Sequence, residues 1–104
     1  MKKYVGMSVL RKGIKTTSGG RQSPATRLEH EFDHAVDYED NAPIHRSRQK
    51  QGVKEYDNME EFRVITGSEK KTAKANKESI RFDHRGKAYD VISPISTNEK
   101  FKNE

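Results

Sequence analysis

SPATRLEHEFDHAVD, Ser23 to Asp37, is the stretch that decides the fold. Ser23-Pro24 predicts a helix start, with Ser23 able to cap and Pro24 in the first helical position, where its missing N–H costs nothing. Ala25, Leu28, Phe32 and Ala35 step by three and four, which predicts an apolar stripe facing a core. His30 and His34 fall roughly opposite Phe32, so one side of the helix is expected to be buried and the other to line a cleft. His30-Glu31-Phe32-Asp33-His34 reads H-E-x-x-H. Residues four apart on a helix share a face, so two imidazole nitrogens can be offered to one divalent metal, expected to be zinc. Glu31 then lies beside the metal, where it can accept a proton from metal-activated water and pass it to a leaving amine.

Working outward, the composition says why a metal would matter. The chain has 104 residues, of which 30% are apolar and 36% charged, and its mean hydropathy is −1.15. A chain of this size has one hydrophobic core, here a poor one, so residues 1–96 are expected to form a single domain and 97–104 a disordered tail. Whatever binds only the folded state adds its binding free energy to folding. There is no cysteine, so any metal takes nitrogen and oxygen ligands. Met1 to Leu10 lacks the apolar run of a signal peptide and nothing later could span a membrane, which predicts a cytoplasmic protein unless another component exports it. The net charge of +5 favours acidic partners, but Lys and Arg are scattered among sixteen acids and tryptophan is absent. Nucleic acid is therefore not the expected partner.

Elsewhere Tyr4 to Leu10 predicts a short strand and Lys12-Gly13 a turn before a second strand around Ile14 to Thr17. Ser18-Gly19-Gly20 reads as a flexible connection. Asn41-Ala42-Pro43 is expected to end the helix, with a polar loop from Ile44 to Asp57. Asn58 can cap a second helix beginning Met59-Glu60-Glu61, with Phe62 and Ile65 as buried positions. Gly67 is expected to end or interrupt it. Ser68 to Glu78 reads as a solvated helix with Glu69-Lys70-Lys71 on its outer face, and Arg81 to Ile92 as a hairpin about Arg85-Gly86. The expected class is α+β.

A catalytic zinc usually holds three protein ligands, so two histidines leave one place to fill. Asp37 lies on the same helical face as His34. Asp40 stands ten residues after His30, where the long H-E-x-x-H-x-x-G-x-x-H motif puts its third ligand, although Asp37 occupies the glycine position. Glu60 and Glu61, on a following helix, are the stronger candidates; their alternative reading is that of ordinary first-turn acids favourable to the helix dipole. His45 and His84 read as surface residues.

Ser23 to Asp37, followed by Glu60-Glu61-Phe62-Arg63-Val64-Ile65-Thr66-Gly67, resembles effector-type zinc metallopeptidases, which occur as toxin domains of Rhs-like proteins and among type III secretion effectors. The second stretch is similar to the E-E-x-R-x-x-G-G segment of clostridial neurotoxin light chains, with Thr66 at the first glycine. The resemblance implies a minimal zincin-like domain with zinc held by His30, His34 and Glu61, with Glu60 as fallback, and Glu31 as general base. It also implies a cationic or phenolic donor for the developing oxyanion, for which Tyr89 comes first and Arg81 second, with His84 and Arg85 also in reach by chemical type. A protein or peptide substrate, an immunity protein as partner and delivery by a secretion system belong to the same expectation. Val5 to Leu10 could align an extended peptide by edge pairing. The rival from a different class is a non-enzymatic basic module that binds nucleic acid or protein and keeps a degenerate or structural metal site.

Overall fold

The computed structural model describes residues 11–100. Three antiparallel strands, β1 (Lys12–Lys15), β2 (Arg21–Gln22) and β5 (Lys87–Asp90), form a sheet in the order β2-β1-β5. Between β2 and β5 run the long helix α1 (Pro24–Gln49), a two-stranded ribbon of β3 (Gly52–Val53) and β4 (Asp57–Asn58), then α2 (Met59–Val64) and α3 (Lys70–Ala75). The class is α+β, as the sequence predicts. The expected strand Tyr4 to Leu10 lies outside the described residues.

Helix α1 begins where expected, with Ser23 at the cap position and Pro24 inside the first turn, but the Ser23 side chain makes no capping hydrogen bond. It does not end at Asn41. That residue leaves helical geometry (φ −142°, ψ 53°), and a further helical segment then runs through Pro43 to Gln49. Pro43 has no N–H for the preceding turn, so the helix bends there instead of continuing straight. The bend corrects the expected polar loop from Ile44: most of that stretch is helix and ribbon. The ribbon ends in Asn58, whose side-chain oxygen accepts a 2.9 Å hydrogen bond from the Glu61 amide. This cap is worth about 1 kcal/mol. It also places both glutamates in the first turn of α2.

Between α2 and α3 the helix widens into a π turn, Ile65–Glu69, which contains Gly67. Val64, Ile65 and Ala73 are fully buried along this element and, with Ile14, Tyr89 and Val91 from the sheet side, make up the small apolar core. Phe62, expected inside, is exposed. The expected hairpin about Arg85-Gly86 is absent among the described residues. Instead β5 pairs with β1, Tyr89 lying opposite Gly13, where a side chain would meet the Gln22 carbonyl at 2.7 Å. Thr97 to Lys100, expected in the tail, return to the sheet: Thr97 O accepts from Tyr89 Oη at 2.5 Å and the Lys100 amide donates to Asp90 O at 2.9 Å.

The largest departure is the orientation of α1. Its buried residues are Pro24, Thr26, His30 and His45, whereas Leu28 and Phe32 of the apolar stripe are 37% and 61% exposed and Ala35 is exposed too, as is the neighbouring Val36. The histidine face packs against α2 and the π turn, so the expected core face is the outer one.

Candidate metal centre

Helical spacing puts His30 and His34 one turn apart on the inner face of α1, and the capped start of α2 brings Glu61 up to both. His30 Nε2 and His34 Nε2 each lie 3.0 Å from Glu61 Oε1 and 3.0 Å from each other. The structure therefore gathers the three expected ligands at one point, a group of side-chain atoms able to hold a metal ion.

What fixes the rings lies behind them. His30 Nδ1 is 2.6 Å from Glu69 Oε1, and His34 Nδ1 is 2.9 Å from Glu60 Oε2. An ionised carboxylate only accepts, so each Nδ1 carries the proton and, in the neutral ring, each Nε2 carries the lone pair. Two imidazole lone pairs and a carboxylate oxygen meeting at 3.0 Å repel one another unless they share a cation. All-nitrogen-and-oxygen donors of this kind suit zinc and other divalent transition metals.

In the metal-free state that cation is a proton. Burial opposes charge on His30, but hydrogen bonds to Glu61 and Glu69 outweigh it and push its pKa up to about 9. His34 is raised for the same reason, against its own burial, by Glu61 and Glu60. Burial works against the Glu61 anion too, yet the two histidines hold its pKa well below the ordinary carboxylate range.

The supporting carboxylates are themselves charge-balanced. Glu69, 1% exposed, accepts from Arg81 through both oxygens at 2.8 and 2.7 Å and from Gln22 Nε2 at 3.1 Å. Against its burial, the Arg81 and His30 contacts bring its pKa down to about 2. Glu60 accepts from Arg48 Nε at 2.7 Å and Arg63 Nη2 at 2.7 Å and is likewise held at about 2, again against its burial. A carboxylate already paired with two guanidiniums is a poor metal ligand. Glu60, the fallback ligand, is thus a support for His34, and the neighbouring group His34, His45 and Glu60 is an ion-pair network. Asp37 belongs to that network, accepting from His45 Nδ1 at 2.8 Å and from Arg48. Asp40 is exposed and joins neither.

Glu31 is half-buried, next to His30 in the chain. The two expected oxyanion donors are placed otherwise. Tyr89 gives its hydroxyl to Thr97 on the sheet, and the Arg81 guanidinium is spent on Glu69 and the Arg85 carbonyl; neither donates to His30, His34 or Glu61. Arg81 instead acts one bond removed, by keeping Glu69 charged.

Four residues of the centre were missed or misread in the sequence. Glu69 looked like part of a solvated run, and Arg48 like part of a loop. His45 is 4% exposed, not a surface residue. His84 also reaches the centre: its Nε2 stands 3.3 Å from Glu61 Oε1, its Nδ1 is 2.6 Å from Asp57 Oδ2, and its ring lies parallel to that of His30. Only the H-E-x-x-H spacing and the glutamate pair are signals; His84 enters the sequence reading as a surface residue or, by chemical type, an oxyanion donor, and nothing in its spacing places it at Glu61. Among the described residues no helix is long and apolar enough to cross a membrane. Compared with protein-family models, curated proteins and solved structures, the chain matches none, so its own side chains are the guide to its chemistry.

Proposed function

We propose that this domain is a metal-dependent peptide hydrolase in which His30, His34 and Glu61 hold zinc and Glu31 is the general base. The observation that carries the reading is the convergence of His30 Nε2, His34 Nε2 and Glu61 Oε1 at 3.0 Å, with both Nδ1 atoms tied to carboxylates. Bound zinc would supply Lewis acidity and bring the pKa of water to about 7. Glu31, on the turn that carries His30, would be the base that accepts a proton from water and returns it to the leaving amine. Glu69 and Glu60 hold the two imidazoles in the tautomer that a cation requires, and Arg81, Arg48 and Arg63 keep those carboxylates ionised. Resemblance of the two short motifs to effector metallopeptidases supports a protein or peptide substrate and a role as a bacterial toxin or effector.

The test is metal analysis of protein purified without chelator, joined to a protease assay. The expected result is about one zinc per chain, lost in His34→Ala and kept in Glu31→Gln, with Glu31→Gln slowing proteolysis by about 10²- to 10⁴-fold. A zinc-free protein with steeply salt-dependent DNA binding would establish the basic-module alternative instead.

A further inference from the structure

We propose that His84 is a fourth, displaceable ligand of the same metal, filling its open coordination place until a substrate or competing anion takes it. This rests on the metal reading above and adds to it.

Three imidazoles, not two, are built alike around Glu61 Oε1. Each gives its Nδ1 to a carboxylate, His30 to Glu69 at 2.6 Å, His34 to Glu60 at 2.9 Å and His84 to Asp57 at 2.6 Å. Each turns its Nε2 toward one oxygen of Glu61, at 3.0, 3.0 and 3.3 Å. A histidine whose only task was to cover the surface would not need its tautomer fixed. A ligand does, because the Nδ1–H bond to a carboxylate leaves Nε2 with a lone pair and raises its basicity.

The backbone around His84 is held with equal care. Its amide donates to Glu55 O at 2.8 Å, and the partner Asp57 stands immediately before Asn58, the residue that caps α2 and seats Glu61. Glu55 and Asp57 both adopt positive φ, 75° and 73°. A non-glycine residue in that region is strained and persists where surrounding contacts enforce it. One ribbon therefore sets both the third ligand and the fourth imidazole.

Two features mark His84 as the ligand that leaves. Its side chain is 31% exposed, against 5% for His30 and 16% for His34, and it belongs to the irregular segment between α3 and β5 rather than to a helix. Displacing it means moving a loop, whereas displacing His30 or His34 means breaking the packing of α1 on α2. Drawn onto the metal, His84 would make four protein donors, the arrangement of a closed site; withdrawn, it leaves His30, His34 and Glu61, the three whose donor atoms lie together here, the arrangement that leaves room for reaction.

The experiment uses the full chain, stripped with chelator, loaded with Co²⁺ and titrated with acetohydroxamate. Wild type is expected to give the strong visible absorption of a four-donor cobalt site and to bind hydroxamate weakly. His84→Ala should weaken cobalt affinity by about 10- to 100-fold, change the spectrum, and bind hydroxamate at least about 10-fold more tightly, because the place is free. Asp57→Asn keeps the ring but weakens its acceptor, and should fall between; it and His84→Gln carry the comparison if the alanine variant does not fold. Spectra and both binding constants within twofold of wild type in all three variants would overturn the proposal. If His34→Ala abolishes cobalt uptake while the His84 variants change nothing, only the fourth-ligand assignment falls. If wild type takes up no cobalt, or His34→Ala keeps it, the metal reading falls and this one with it.

Discussion

The two faces of α1 are sorted against their hydropathy. Thr26, His30 and His45 are buried on one, while Leu28, Phe32 and Val36 stand exposed on the other. Fully burying three such apolar side chains would contribute about 1.5–3 kcal/mol each, so something must outweigh them. On the inner face each histidine meets a carboxylate, the carboxylates of Glu69, Glu60 and Asp37 each meet a guanidinium, and Glu61 meets the imidazoles, so that no charge there is left alone. Burial of polar groups is tolerable on that condition only. The difference teaches that, in a chain poor in apolar residues, a completed ionic lattice can set which way a helix faces. It also makes the inner face brittle, since removing one member exposes its partner to the full cost of an unpaired buried charge.

The severest way to break the comparison is Glu69→Ala. It strands Arg81 and releases His30, and is expected to destabilise the metal-free protein by about 3–5 kcal/mol in urea unfolding. A loss below about 1 kcal/mol would mean that the lattice does not orient α1.

Acid and alkali act on the same lattice from opposite sides. Glu60 and Glu69 have folded pKa values depressed from 4.5 to about 2, so the stability they contribute is complete above 4.5 and fades as pH falls toward 2. His30 is raised from 6.5 to about 9, so its share is complete below 6.5 and fades as pH rises through about 9. The metal-free protein should be most stable between about pH 4.5 and 6.5. A flat melting temperature from pH 5 to 9.5 would contradict the assignment of charge to His30.

Least is expected of the outer face. Phe32→Ser should change stability by no more than about 0.5 kcal/mol, because the ring is already in solvent. A loss of 2 kcal/mol would show that the face is covered in solution.

Much of the arrangement was legible because it is local. The Ser23-Pro24 start, the Asn58 cap, the histidines four apart and the adjacent glutamates are each set within a few residues, and they appear where the spacing puts them. What was not legible depends on partners distant in the chain. Periodicity marks which residues share a face but not whether that face is covered, and Leu28, Phe32 and Ala35 were assigned inward by hydropathy alone. Tyr89 and Arg81 have the right chemistry for an oxyanion, yet pairing of β5 with β1 sends one to Thr97, and burial beside Glu69 claims the other.

Glu69 owes its place to the widened turn before it, and the reason is angular. In an uninterrupted α-helix eight residues advance the side-chain direction by about 80° beyond two full turns, so Glu69 would point well away from Glu61. The extra residue in the Ile65–Glu69 turn takes back about 100°, leaving the two carboxylates within about 20° of the same azimuth. That is how one imidazole, His30, is gripped at both nitrogens by a single stretch of chain. The same phase shift carries Ala73, one α turn further on, into the interior and leaves Lys70, Lys71 and Lys74 facing water, so a local slip of register decides the azimuth of everything that follows it.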